Sequence, residues 1–207
     1  MLACKPGSLP GAARGRRAGF GGAANQSCWR RALPSDVPVA AVRWHTAVVL
    51  TSAGVVLFRE RGGSLEVLLG HMGGPYWARK DEGAWTIPKG ELDEGEDPLA
   101  GARREFAEEL GHALPHDPVL ELGEIRQRGG KRVIAFAVEG DFDPGSLVAG
   151  TFELEWPPRS GRRETFPELD RVAWFDLATA KTKIVQGQVA LLDRLVDARR
   201  VHDIDGG

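Results

Sequence analysis

The chain has 207 residues, 42% hydrophobic and 27% charged, enough for one globular domain with a core and some excess length. Its formal charge of −2 hides an asymmetry: residues 1–50 carry seven basic side chains and one acid, and residues 51–207 carry 20 basic and 28 acidic ones. A net-acidic body argues against a general nucleic-acid binder and suits the holding of divalent metal. Both cysteines, Cys4 and Cys28, lie in the basic leader, so the body has neither a disulfide framework nor a cysteine metal site.

Residues 1–40 are rich in Gly, Ala, Arg and Pro, lack apolar periodicity, and read as a disordered basic extension. An organelle-targeting segment, a basic arm for nucleic acid and a plain solvated extension are all open readings of that composition. Val37–Leu50 is interrupted by Arg43 and His45, which argues against a secretory signal. No apolar run is long enough to span a membrane, so the expected location is cytoplasmic.

The domain is expected over 47–200. Val48–Arg59 is rich in β-branched and aliphatic residues, and Arg61-Gly62-Gly63-Ser64 turns it into a second strand, Glu66–His71. A Gly- and Pro-containing loop, Met72–Gly83, leads to a short strand at Ala84–Ile87, then Pro88-Lys89-Gly90, an acidic loop, and a helix over Pro98–Leu110. Further strands are predicted at Val119–Ile125, Arg132–Glu139, Thr151–Glu155 and Arg171–Phe175. Apolar spacing at Val189, Leu192, Leu195 and Val196 predicts a closing helix over Gln186–Ala198. Strands on either side of a central helix, with a second helix at the end, imply an α/β sandwich around a mixed sheet.

The helix 98–110 has start and stop signals: Asp97 as N-cap, Pro98 in the first position and Gly111 beyond the end. Leu99, Ala102, Phe106 and Leu110 share one side, while Glu105, Glu108 and Glu109 fall on a neighbouring arc. Three carboxylates so gathered repel one another unless a cation lies between them, and a hard divalent ion such as Mg²⁺ takes oxygen ligands. Arg104 stands beside Glu105 and four residues before Glu108, placed to orient a carboxylate. Gly101 in mid-helix costs about 1 kcal/mol relative to Ala and has no explanation in the sequence.

The stretch Gly90–Gly111, GELDEGEDPLAGARREFAEELG, resembles the Nudix hydrolase signature. Gly90 and Glu96 stand at its first two fixed positions, and Arg104, Glu105, Glu108, Glu109 and Gly111 fill the rest. Phe106 and His112 replace aliphatic residues, departures that concern packing. The resemblance implies an α/β/α sandwich with a mixed β-sheet and metal-dependent hydrolysis of a diphosphate linkage. It implies that Glu105, Glu108, Glu109 and the Gly90 carbonyl hold Mg²⁺ or Mn²⁺. Glu105 or a nearby carboxylate would prepare the attacking water, with Arg104 as a supporting catalytic residue, and Glu96 would brace the loop or hold metal through water.

Pro88-Lys89-Gly90 is similar to the dinucleoside-polyphosphate and diphosphoinositol-polyphosphate branches of that family. Lys89, with Arg79 and Lys80 ahead of it, is a candidate phosphate contact, and a small nucleoside polyphosphate is the expected partner rather than nucleic acid or membrane. Two further basic groups, Arg126, Arg128, Lys131 and Arg132, then Arg159, Arg162 and Arg163, would favour a long polyphosphate if they faced the helix. Tyr76 and Trp77 in the loop could stack on a base, whereas Trp85 and Trp174 read as core, and His71 and His112 as structural. Sanitation of damaged nucleoside triphosphates, RNA 5′-pyrophosphate removal and a non-catalytic nucleotide-binding domain are the competing readings.

Overall fold

The computed structural model describes residues 51–114, 119–127 and 130–205. Strand β1 (Thr51–Arg61) is buried on both faces, as a central strand must be when helices cover both sides of a sheet. It turns into β2 (Ser64–Met72) through Gly62 and Gly63, whose φ values of 60° and 79° give the tight hairpin geometry open to glycine pairs. On its other edge β1 runs parallel to β6 (Arg132–Glu139), which pairs antiparallel with β5 (Val119–Arg126). Strand β9 (Leu169–Asp176) closes the outer edge of β2 in antiparallel sense, so the sheet is mixed.

The alternation of β1 sorts the core into two layers. Ala53, Val55 and Leu57 pack with Ala102, Phe106 and Leu110 of α1 (Pro98–Leu110). Val56 and Phe58 face the opposite layer, with Leu191, Leu192 and Leu195 of α3 (Val189–Asp205) and Ala180 of α2 (Leu177–Lys183). Truncating a side chain as buried as Phe106, 1% exposed, to Ala typically costs about 3–5 kcal/mol. This is the expected α/β/α arrangement.

Where β1 and β2 part, a short segment fills the gap. Ladder pairing between them ends at Phe58 and Val67; beyond it β3 (Trp85–Thr86) pairs with β2 and β4 (Lys89–Glu91) with β1. Pro88 sits at the handover, where its missing N–H leaves no donor unpaired, and its carbonyl accepts from Val55 N at 3.0 Å. Fully buried Gln188 satisfies the crossing from the α3 side: its Oε1 accepts from Ile87 N at 3.0 Å, and its Nε2 donates to Thr86 Oγ1 at 2.9 Å. Gly54 permits the approach, because a Cβ there would lie 2.5 Å from Lys89 Cβ.

A separate hairpin, β7 (Thr151–Glu155) with β8 (Arg163–Pro167), lies outside the main sheet. It is tied to the loop after β2 by Gly73 N donating to Glu168 O at 2.8 Å. Five elements depart from the sequence expectation. β4 and β8 were not expected as strands, α2 was not anticipated, and the strand expected at Ala84–Ile87 is only Trp85–Thr86. The closing helix begins with a 3₁₀ turn, Gln186–Gln188, and extends to Asp205. The expected extension 1–40, and the start of order near Ala47, lie outside the described residues.

Candidate active site

Helix α1 begins where the sequence places it. Asp97 accepts from Ala100 N at 2.9 Å, Pro98 occupies the first turn, and Gly111 closes the helix at φ 76°. Gly101 acquires a reason here: a Cβ would lie 2.3 Å from Leu92 Cδ2 and 3.0 Å from Glu96 Oε2, so the acidic loop folds onto the bare helix backbone. That contact brings Glu96 to Arg104.

Arg104 organises the acids around it. Its Nε and Nη2 donate to the two oxygens of Glu96 at 3.0 and 2.9 Å, a bidentate pair, and Nη2 also reaches the Glu91 carbonyl at 3.0 Å. Nη1 donates to Glu105 at 2.8 Å and to Glu108 at 3.2 Å. These bonds, together with Asp93 N donating to Glu96, hold the Glu96 carboxyl down at about 2, and the same partners raise the Arg104 guanidinium further. Glu105 then lies directly over the Gly90 backbone, where a Cβ would come within 1.7 Å of its carboxylate oxygen. A side chain there would displace the Glu105 carboxylate.

Glu105, Glu108 and Glu109 face an open cleft of about 520 Å³, shared with Lys89, Gly90 and Glu168. Glu109 is 8% exposed; burial pushes its carboxyl up to about 8, against the pull of Lys89, whose backbone N–H donates to it at 3.0 Å. Burial also lowers the Lys89 ammonium. Glu168, just before β9, is raised first by burial and then by the charges of Glu105 and Glu108.

The sequence-predicted residues therefore divide. Gly90, Lys89, Glu105, Glu108 and Glu109 line one cleft, and Arg104 braces two of its carboxylates. Arg79 and Lys80 are exposed and do not line it; the Lys80 ammonium packs on the Trp77 ring at 4.5 Å. Lys131 pairs with Glu91 at 3.0 Å at the rim, whereas Arg132 and Arg126 pair with Glu124 away from the cleft. Arg128 lies outside the described residues. None of Arg159, Arg162 and Arg163 lines the cleft; Arg163 pairs with Glu153 at 3.0 Å. Trp77 lines the cleft, while Tyr76 meets Trp156 edge-on at 5.2 Å. Trp85 is core, as expected. His71 is fully buried between Asp170 and the Lys80 carbonyl, and His112 contacts the Ser146 carbonyl. Glu168 and Phe152 were missed: they come from the β7–β8 region, distant in sequence, and neither belongs to a local motif.

The NUDIX domain family model matches residues 49–195. The chain belongs to the Nudix family of hydrolases. It is similar to the 8-oxo-(d)GTP phosphatase of Mycolicibacterium smegmatis, with 36% identity over 124 residues, 52% of this chain. The match spans only 34% of that relative's length. Solved structures resembling this Nudix domain include the NUDIX domain of Shewanella oneidensis NrtR complexed with ADP ribose. That pair shares 17% identity at a TM-score of 0.49, covering 72% of this chain and 86% of the other. A C. elegans Ap4A hydrolase binary complex shares 21% identity at a TM-score of 0.47, covering 70% and 96% respectively.

Nudix hydrolases generally use divalent metal ions, and the donor set here suits one. Five carboxylates, those of Glu91, Glu105, Glu108, Glu109 and Glu168, share the cleft with Gly90, and burial, aided by the charges of neighbouring carboxylates, raises Glu109 and Glu168. Among the described residues no three carboxylates or imidazoles close to coordinating distance, and Arg104 holds Glu105 and Glu108 in ion pairs. No helix among them is long and apolar enough to cross a membrane.

Proposed function

We propose that this Nudix protein hydrolyses a diphosphate linkage in a dinucleoside polyphosphate with the help of Mg²⁺ or Mn²⁺. The observation that carries the reading is the convergence of Glu105, Glu108 and Glu109 with Lys89 and Gly90 in one cleft. Glu105, Glu108, Glu109 and the Gly90 carbonyl would hold the ion, which neutralises phosphoryl oxygens and makes water a better nucleophile. Arg104 holds Glu105 and Glu108 on the cleft wall before substrate arrives, which orients both carboxylates. Glu168 makes no ion pair with Arg104 and faces the same cleft, which fits it to take the proton of the attacking water. Water oxygen bonds to one phosphorus, the bridging P–O bond breaks, and the shorter phosphate chain leaves. Lys89, in the Pro88-Lys89-Gly90 lead-in, supplies the positive charge on the phosphate path.

A second reading is sanitation of oxidised nucleoside triphosphates, favoured by the likeness to the M. smegmatis 8-oxo-(d)GTP phosphatase. Product analysis with Mg²⁺ over diadenosine tetra- to hexaphosphate, 8-oxo-dGTP, diphosphoinositol polyphosphate and triphosphorylated RNA separates the readings. Efficient release of a nucleoside triphosphate or similar fragment from a diadenosine substrate is expected. No turnover of any of them would leave a nucleotide-binding domain. Glu108→Gln and Glu109→Gln should each abolish turnover. Glu109→Gln should fold normally, since glutamine copies the neutral carboxyl that burial favours at that site. Full activity in both variants would refute the metal assignment.

A further inference from the structure

Strand β9 does not pair evenly with β2. His71 stands opposite Arg171, and the next residue of β2, Met72, stands opposite Leu169, so Asp170 is an extra residue bulged out of the ladder. The bulge resets the alternation of β9. Leu169 and Val172 both pack in the α1 layer although they stand three positions apart, where an unbroken strand would put them on opposite faces. Leu169 fills the space over Gly70, where a Cβ would lie 2.5 Å from its Cδ1. A one-residue slip that removed the bulge would turn Leu169 out of that layer.

A buried histidine holds the bulge. His71 is 0% exposed, with Nδ1 2.8 Å from Asp170 Oδ1 and Nε2 2.7 Å from the Lys80 carbonyl. Both neighbours are acceptors, so an imidazolium with two N–H groups satisfies them together. The imidazole and the Trp85 ring meet edge to face at 5.1 Å, and exposed Arg171 adds a second donor to Asp170 at 3.2 Å. The two acceptors that His71 joins belong to one wall of the cleft. Lys80 closes the turn that carries Trp77, its N–H donating to the Trp77 carbonyl at 2.8 Å. Asp170 follows Glu168 by two residues. Between them Gly73 N donates to Glu168 O, and Glu168 N to Gly150 O, both at 2.8 Å. Met72, Gly73, Trp77 and Glu168 line the cleft, whereas His71 and Asp170 stand behind it.

We propose that the His71–Asp170 pair is a positioning device for Glu168. By locking the β9 bulge it fixes the phase of the strand, and with it the direction in which Glu168 leaves the strand toward the cleft. The kinetic consequence rests on the reading of Glu168 as the proton acceptor; the placement itself is read separately.

Exchange of individual backbone amides, followed by NMR on the full chain without metal, tests the placement. His71→Gln keeps a donor near Lys80 but withdraws the one at Asp170, and protection of the Gly73 and Glu168 amides should fall about tenfold or more. Asp170→Ala removes the same bond from the exposed side and should do likewise. His71→Asn keeps a donor at the reach of Nδ1 and should restore protection. The Gly140 amide, which donates to Phe58 O at 2.9 Å at the opposite end of β1, is the internal control and should change less than about threefold. Turnover of diadenosine tetraphosphate and 8-oxo-dGTP with Mg²⁺ tests the consequence. His71→Gln and Asp170→Ala should each lower kcat about tenfold or more at a KM within about twofold, and His71→Asn should recover most of the loss. Adding His71→Gln to Glu168→Gln should cost less than about threefold further, because the group being placed is already gone. Unchanged protection of Gly73 and Glu168 in His71→Gln and Asp170→Ala overturns the positioning role, and so does an equal kcat loss with and without Glu168. Full turnover by Glu168→Gln, with protection lost in the His71 and Asp170 variants, would remove Glu168 as proton acceptor and leave its placement standing.

Discussion

Arg104 places all its N–H donors among acids and one backbone carbonyl: Glu96, Glu105, Glu108 and Glu91 O. A lysine at that position would carry the same charge but could not present a planar fork to Glu96 while reaching two other carboxylates. The pair has a pH consequence. Glu96 is held at about 2 in the folded chain against 4.5 ordinarily, chiefly by the Arg104 bonds. A carboxyl with a depressed folded value adds stability that is fully present above about 4.5 and is lost as pH falls through about 2. Glu96→Gln should therefore unfold at lower urea than the natural protein at pH 7, and the gap should narrow steadily between pH 4.5 and pH 2. Urea midpoints at pH 7, 4.5 and 3 test this. A gap that stayed constant across that range would mean the Glu96 charge contributes nothing.

Among the elements, the short segment between β2 and α1 decides where the chemistry stands. Gln188 supplies the partners that β3 and β4 lack at their junction, so Gln188→Leu would bury the Ile87 N–H and the Gln188-facing side of Thr86 without their present partner. The expected loss is about 1–3 kcal/mol, read as a lower urea midpoint at unchanged slope. An unaltered midpoint would show that another group satisfies Ile87. This segment also marks the limit of what the sequence discloses. Helix α1 was legible because cap, proline, apolar stripe and terminal glycine all agree, and β6 and β7 because they alternate or are β-branched. β4 is Lys-Gly-Glu and is held by its ladder to β1, not by any local preference. β8, largely exposed and polar, exists through pairing with β7, and the seven residues of α2 are too few to show a period. The same reason hid Glu168 and Phe152: tertiary structure brings them to the cleft. The five cleft residues expected at 89–109 lie within one continuous motif, so their spacing was readable.

For the whole molecule, residues 51–207 carry an excess of eight acidic side chains, and several acids crowd into one cleft, with Arg104, Lys89 and Lys131 close by. Folding must hold these charges together, so a cation that binds the folded cleft and not the unfolded chain stabilises the protein by mass action. At a free Mg²⁺ concentration of 100 times its dissociation constant the gain is about 2.7 kcal/mol. For a domain of this size each kcal/mol moves the melting temperature by about 2–4 °C, which gives an expected rise of about 5–11 °C. Screening by salt acts on exposed charges at any ionic strength, so NaCl at matched ionic strength is the necessary control and should produce a much smaller rise. Glu108→Gln combined with Glu109→Gln should lose most of the Mg²⁺-dependent increase. Calorimetry or circular dichroism on the four protein and salt combinations reads both effects. An equal Mg²⁺ response in the natural protein and the double variant would place the cation elsewhere on the surface.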